Sequence, residues 1–227
     1  MLRNSYELLY ALKKSGYLKT HRDPFWWPNS GTQEVIFGAI LTQQTKWERV
    51  EASLSNLREA GVGSLESLAD TDTQIIATLI KPSGFYNTKA QRLKMLCRNI
   101  LKDFGSFKAF QENVDREWLL KQKGIGMESA DSILCYGCKK EAFVVDSYTG
   151  RLLEAFGYRF ERYEEVQEWI VEGLEGNFDK IHKLYGREVP RHQLYARFHG
   201  KIVEFSKESM RGKQVDLTHL LPFLDKA

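Results

Sequence analysis

Apolar residues recur at helical spacing along nearly the whole chain, and no stretch alternates apolar and polar residues long enough to read as a strand. Leu8, Leu9 and Leu12 mark a first helix that ends near Gly16. A turn-rich segment, HRDPFWWPNSG, follows; Pro24 and Pro28 bracket three consecutive aromatic residues there. Val35, Ile36, Ala39 and Ile40 predict a second helix running down to Leu41–Trp47, and Val50, Leu54 and Leu57 a third that reaches the Gly61 loop. Leu65 and Leu68, then Ile75, Ile76 and Leu79, predict two short helices. Lys81 to Ala90 reads as a turn opening the helix of Leu93, Leu96, Ile100 and Leu101. Late helices fall around Arg151–Phe156, Val166–Leu174 and Gln193–Phe205, and the chain closes on LLPFLDKA, a tail apolar enough to dock. The fold predicted is all-α.

The most informative stretch runs from Trp118 to Asp146. Trp118, Leu119 and Leu120 can line the inner side of a short helix. Gly124 and Gly126 then supply two positions without Cβ, where the backbone can turn sharply and approach a ligand. Ala130, Ile133 and Leu134 form the inward stripe of a helix starting near Met127. Backbone N–H groups at such a helix start favour anions, and Lys121 and Lys123 add positive charge.

This stretch resembles the helix–hairpin–helix of the base-excision DNA glycosylases of the endonuclease III superfamily. The shared residues are Leu120, Gly124-Ile125-Gly126, Ala130 and the pair Val145-Asp146; Gln122-Lys123 stand where Leu-Pro is usual. Gly61-Val62-Gly63 carries no such context and reads as a loop. Leu41–Trp47 is similar to the family motif ending in Gln-x-Thr, Gly84–Ala90 to Gly-x-Tyr-Asn-x-Lys-Ala, and His199-Gly200-Lys201 to the His-Gly-Arg ahead of the iron–sulfur cluster. The resemblance implies two helical lobes with a DNA-binding cleft between them. Residues 30–136 would form a helical barrel containing the hairpin, inserted into a second helical domain of residues 1–29 and 137–227 that lacks the cluster.

Composition adds bounds. The length allows a real core, and no apolar run is long enough to span a membrane. The formal net charge of +3 permits nucleic-acid binding without arguing for it, so any basic surface is local. Three cysteines give no disulfide framework and suggest a reducing, cytoplasmic setting. A monomer acting on damaged double-stranded DNA, with no membrane partner, is the expectation.

The candidate chemistry follows from the resemblance. It implies that Asp146 faces the anomeric carbon of an extruded nucleotide, stabilising an oxocarbenium-like transition state or activating water. An Asp ahead of a helix also reads as an N-cap, and the two roles can coexist. Lyase members carry a lysine two residues after the second hairpin glycine, where it forms an imine; here that residue is Glu128, so base release without strand cleavage is expected. A first-turn acid also suits the helix dipole. An iron–sulfur cluster needs four thiolates, whereas Glu204 stands at the first ligand position and Cys97, Cys135 and Cys138 lie elsewhere. No cluster and no metal are expected, and the cysteines read as structural. Lys201 is the candidate to hold that corner, through a partner, a lowered pKa or carbamylation. Hairpins of this kind can hold a monovalent cation through backbone carbonyls, which the sequence neither requires nor forbids.

Three of the five tryptophans fall in segments that line the cleft in the family: Trp26 and Trp27, with Pro28 beside them, and Trp47. With Glu128 they make up the candidate base pocket. Stacked π-faces favour a cationic ring, such as a purine methylated at N3 or N7, and the arrangement resembles the bacterial 3-methyladenine DNA glycosylases of the superfamily. Gln43 is the first choice for the wedge filling the vacated stack and Gln44 the second. Gly124 and Gly126 are assigned to DNA phosphate, supported by Lys89 and Lys123. The alternatives are a glycosylase for mispaired or deaminated T, U or A, and a non-catalytic helix–hairpin–helix DNA-binding protein.

Overall fold

The computed structural model describes residues 2–18, 24–212 and 214–224. Residues 21–23 of the turn-rich segment and 225–227 of the closing tail lie outside these. The chain divides into two compact units, Met1–Pro28 with Glu141–Ala227, and Asn29–Lys140. Among the described residues there are fourteen α-helices.

In the unit Asn29–Lys140, the apolar run EVIFGAIL forms α2 (Glu34–Leu41), with every residue from Val35 to Leu41 buried. α3 (Trp47–Glu59) turns Val50, Leu54 and Leu57 inward. α4 (Leu65–Asp70) starts on a Ser64–Ser67 capping box, and α5 (Thr73–Leu79) on the Asp72 carboxylate. A 3-10 turn, Lys81–Ser83, leads to the long α6 (Tyr86–Phe104), whose inward stripe is Lys89, Leu93, Leu96 and Ile100. α7 (Phe107–Asn113) and α8 (Arg116–Leu120) begin on Ser106 and Asp115, and α9 (Met127–Ser132) continues into a π-helical turn, Ile133–Gly137. α8 turns only Leu119 fully inward, and Leu120 is partly exposed, because five residues make little more than one turn.

In the other unit, α13 (Arg191–Ser209) has twelve buried residues, so neighbours cover it on most sides. α1 (Ser5–Lys14), α10 (Ser147–Ala155) and α11 (Tyr163–Glu175) supply Leu8, Leu9, Leu12, Leu152, Leu153 and Ile170 to one core with Leu194, Phe198, Ile202 and Phe205 of α13. Each such fully buried side chain contributes about 1.5–3 kcal/mol. α1 meets α11 closely at Gly173, where a Cβ would overlap Ser5 Oγ, and that hydroxyl donates to Ile170 O. Leu220 and Leu224, the latter in α14 (Leu221–Leu224), join this core and dock the tail.

Three elements depart from the apolar pattern. α7 and α12 (Phe178–Tyr185) each turn a single residue fully inward, Phe110 and Ile181, which leaves no period to read. An antiparallel pair of two-residue strands, Met210–Arg211 with Gln214–Val215, is too short to alternate.

Candidate functional site

The candidate residues fall into two groups, one in each unit. The first is built around Asp146. The preceding residues Ala142 to Val145 are buried and tied to α11, because Tyr163 Oη accepts from Val145 N–H at 3.1 Å and Gln167 Nε2 donates to Phe143 O at 2.6 Å. Asp146 caps α10, its Oδ1 accepting from Thr149 N–H at 2.8 Å and from Thr149 Oγ1 at 2.9 Å. Its Oδ2 lies 3.4 Å from Nε2 of the buried His199, longer than an ordinary N–H···O bond. Burial alone would raise the Asp146 pKa, but His199 and the two Thr149 donors outweigh it and hold the carboxyl below its usual range. The result is an ionised carboxylate with 14% of its side chain exposed.

His199 is framed by aromatic edges, from Trp26 at 5.5 Å and Phe143 at 6.4 Å. The Trp26 indole lies where a Cβ on Gly200 would sit, so the glycine of the His-Gly-Lys motif admits the ring. Trp26 holds a left-handed φ of +73°, a strained backbone for a large side chain. Trp27 is core, with its ring edge-on to Trp26 at 6.5 Å, and Pro28 is half-buried. Of the aromatic run, Trp26 therefore stands beside the Asp146–His199 pair.

The second group centres on the hairpin. Gly124 has φ +84°, and a Cβ there would overlap the Arg92 guanidinium. Arg92 donates to Gln43 Oε1 at 3.1 Å, while Gln43 Nε2 donates to Gly124 O at 2.9 Å and Ser129 Oγ at 3.0 Å. Arg116 of α8 grips Asp131 of α9 through two bonds of 2.9 and 3.1 Å, tying together the two helices that the hairpin joins. Gly126, with φ −95°, caps α9 in ordinary extended backbone and is exposed, as are Lys123 and Glu128. Trp47, half-buried, opens α3 in the same unit.

The structure bears on two assignments made from sequence. The Gln43 amide is bonded at both ends within the hairpin lock. Its neighbour Gln44 is exposed, with φ +55°. Lys89 is not a surface charge for phosphate: it is 2% exposed and donates to Leu41 O at 2.8 Å, Thr45 Oγ1 at 2.8 Å and Ser83 O at 2.9 Å. Burial, then the charge of Arg92, brings its pKa down to about 8.

Sequence reasoning also passed over Phe85. It is 68% exposed with φ +47°, an unusual combination for a large apolar residue, and left-handed strain of this kind costs about 1–3 kcal/mol. An apolar residue directly after glycine in a turn was the available signal. Arg92 and the contact of His199 with Asp146 had none.

Lys201 is buried and donates to Tyr17 O at 2.6 Å. Its pKa is brought down to about 8, first by burial and then by Arg197 and Lys13. The residues present do not fit a four-thiolate cluster. Cys97, Cys135 and Cys138 all lie in the unit Asn29–Lys140, burial raises each thiol (Cys138 to about 12), and among the described residues no three metal-ligating side chains converge. Among those residues no helix is long and apolar enough to cross a membrane.

Comparison with known proteins places this geometry. A family model described as HhH-GPD superfamily base excision DNA repair protein matches residues 37–175. A Methanocaldococcus jannaschii protein provisionally named a DNA repair glycosylase is 32% identical over 219 residues, spanning 94% of this chain and 93% of its own. The crystal structure of H. pylori 3-methyladenine DNA glycosylase (MagIII) bound to 1,N6-ethenoadenine is similar at 47% identity and TM-score 0.87, over 92% of this chain and 99% of that one. A non-covalent endonuclease III–DNA complex shares the fold, with TM-score 0.68 at 18% identity over 98% of this chain and 95% of that one.

Proposed function

Since the chain belongs to the HhH-GPD superfamily of base excision DNA repair proteins, we propose that this DNA glycosylase releases alkylated purines of the 3-methyladenine class by hydrolysis and leaves the abasic strand uncut. The observation that carries the reading is an ionised, largely buried carboxylate at Asp146 in a chain that has an acid, Glu128, where an imine-forming lysine would stand. Breaking the N-glycosidic bond sends its electron pair to the base and leaves positive charge at the sugar C1′. A fixed carboxylate opposes that charge without reorganising, an effect of about 3–4 kcal/mol. Thr149 and His199 keep the carboxylate in place and charged. Water adds its oxygen to C1′ and releases a proton to solvent, and no covalent bond to the protein forms.

A purine alkylated at N3 or N7 already carries positive charge and departs neutral, so no strong acid need protonate it. Trp26 and Trp47 offer π-faces that favour such a ring. The H. pylori relative, named for 3-methyladenine and solved with 1,N6-ethenoadenine, supports the substrate class. Gly124, Gly126 and Lys123 hold phosphate of the damaged duplex, while exposed Gln44 and Phe85 enter the stack as the nucleotide leaves it. Lys201, through Tyr17 O, holds the corner that other members give to a cluster.

The test is base release from three duplexes, containing 3-methyladenine, uracil opposite guanine, or adenine opposite oxidised guanine, followed by chromatography of the freed base. Release from the alkylated duplex alone is expected. Release from only a neutral-base duplex overturns the substrate class, and tight binding with no release from any duplex makes the protein a non-catalytic module.

A further inference from the structure

Gln44 and Phe85 share a feature that their places in the sequence hide. Each is exposed, each has a left-handed φ, and each lies within two residues of one bonded to the same buried lysine. Lys89 reaches Thr45, next to Gln44, through Oγ1, and reaches Ser83, two residues before Phe85, through its carbonyl. Thr45 Oγ1 also donates to Ser83 O at 2.6 Å, closing a small ring of polar contacts, and Leu41 O at the end of α2 takes the third ammonium proton. The backbone adds a fourth tie, Lys89 N–H to Phe85 O at 3.0 Å. Between them Gly84, at φ +65° and ψ +165°, holds a conformation that belongs almost solely to glycine. A charged group in the core with all three donors used has no exposed face left for a phosphate.

We propose that Lys89 is a positioning residue for base extrusion: its buried ammonium ties the end of α2, the Thr45 turn and the Ser83–Gly84 turn into one hub that holds Gln44 and Phe85 in the conformations in which they enter duplex DNA. The inference rests on the glycosylase reading above, and it assigns the lysine a task separate from both phosphate binding and bond cleavage. Strained backbones persist only where their surroundings over-determine them. Here the hub supplies that over-determination at two places at once. Removing it lets both turns relax, and the two side chains then lose their preset geometry while Asp146, in the other unit, is untouched.

The experiment uses the full chain and two readouts. Fluorescence of 2-aminopurine placed opposite the lesion position reports side-chain entry without bond cleavage, and single-turnover base release reports the reaction. Each is measured on a fully paired alkylated duplex and on one with an abasic spacer opposite the lesion, where the stack is already broken. Lys89→Met is expected to abolish the fluorescence rise and to slow release from the paired duplex about 10- to 100-fold, the scale of a small misplacement, with less than about threefold loss on the spacer duplex. In a Gln44→Ala, Phe85→Ala background, Lys89→Met should change the rate by no more than about twofold, since it acts through those residues. Thr45→Val, which deletes one hydroxyl and no charge, should show the same pattern more weakly, with Thr45→Ser restoring it. Equal losses on both duplexes, or losses that multiply in the double-variant background, overturn the inference. A wild-type protein that raises the fluorescence but frees no alkylated base counts against the glycosylase reading, and the hub is then supported if Lys89→Met abolishes that rise and overturned if it does not.

Discussion

Replacing Asp146 separates its two structural duties from its chemical one. Asn keeps an Oδ1 for the Thr149 N–H and hydroxyl, and Asp and Asn are near-equal N-caps. What it loses is the charge facing His199 at 3.4 Å, an attraction between largely buried groups worth about 1–2 kcal/mol. For a chain of this length, 1 kcal/mol corresponds to roughly 2–4 °C in melting temperature. Ala removes the cap as well, a further loss of about 1 kcal/mol. Asp146→Ala should therefore melt below Asp146→Asn, which in turn melts below the wild type. Base release behaves differently, because both variants lack the negative charge at C1′ and both should be slower by about 10²–10³-fold. The assay is single-turnover release of alkylated base at a temperature where all three proteins are folded. If Asp146→Asn stays within about threefold of the wild type, or if rates follow melting temperatures with Asn far ahead of Ala, the carboxylate is only a cap and the reasoning fails.

The remaining expectations concern the groups around it. Because the folded Asp146 pKa is depressed, the stability that it contributes is lost as pH falls from the ordinary carboxylate value of about 3.9 through its lower folded value; the urea-melt difference between wild type and Asp146→Asn should shrink as pH falls below about 4, and a difference that grows over that range contradicts the assignment. Gly124→Ala sets an L side chain at φ +84° against the Arg92 guanidinium and should lower stability by about 2–3 kcal/mol in a denaturant melt, together with duplex affinity; an unchanged melt denies the lock. Gly200→Ala pushes the Trp26 indole off α13, so a loss of about 1–3 kcal/mol and a shift in tryptophan emission are expected.

Most helices with two or more inward residues were legible because their apolar stripes follow the helical period, α5 excepted, where Ile76 and Ala77 are buried and Ile75 faces out, and the hairpin was legible because Gly124, Gly126 and Ala130 must stand at fixed spacing. Asp146 was readable as cap and candidate acid at once, and its geometry serves the first role while leaving it the charge for the second. Lys89 was misjudged because a lysine in an Asn-Thr-Lys turn reads as solvated, although it lies four residues before Leu93 on the same inward stripe. Gln43 and Gln44 are chemically identical neighbours, and only backbone conformation decides that one locks the hairpin while the other faces outward. The approach of His199 to Asp146 joins α13 to the start of α10, and no local pattern encodes a contact between residues so far apart in the chain.

The central claim is that this chain breaks a glycosidic bond through charge and water, without a covalent step. Incubating the protein with a 3-methyladenine duplex in the presence of borohydride, with a second portion heated in alkali, tests that claim most directly. Free alkylated base, strand breaks only after alkali and no protein–DNA adduct are the expected result. A borohydride-trapped adduct, or breaks without alkali, would show an amine nucleophile at work and contradict the account.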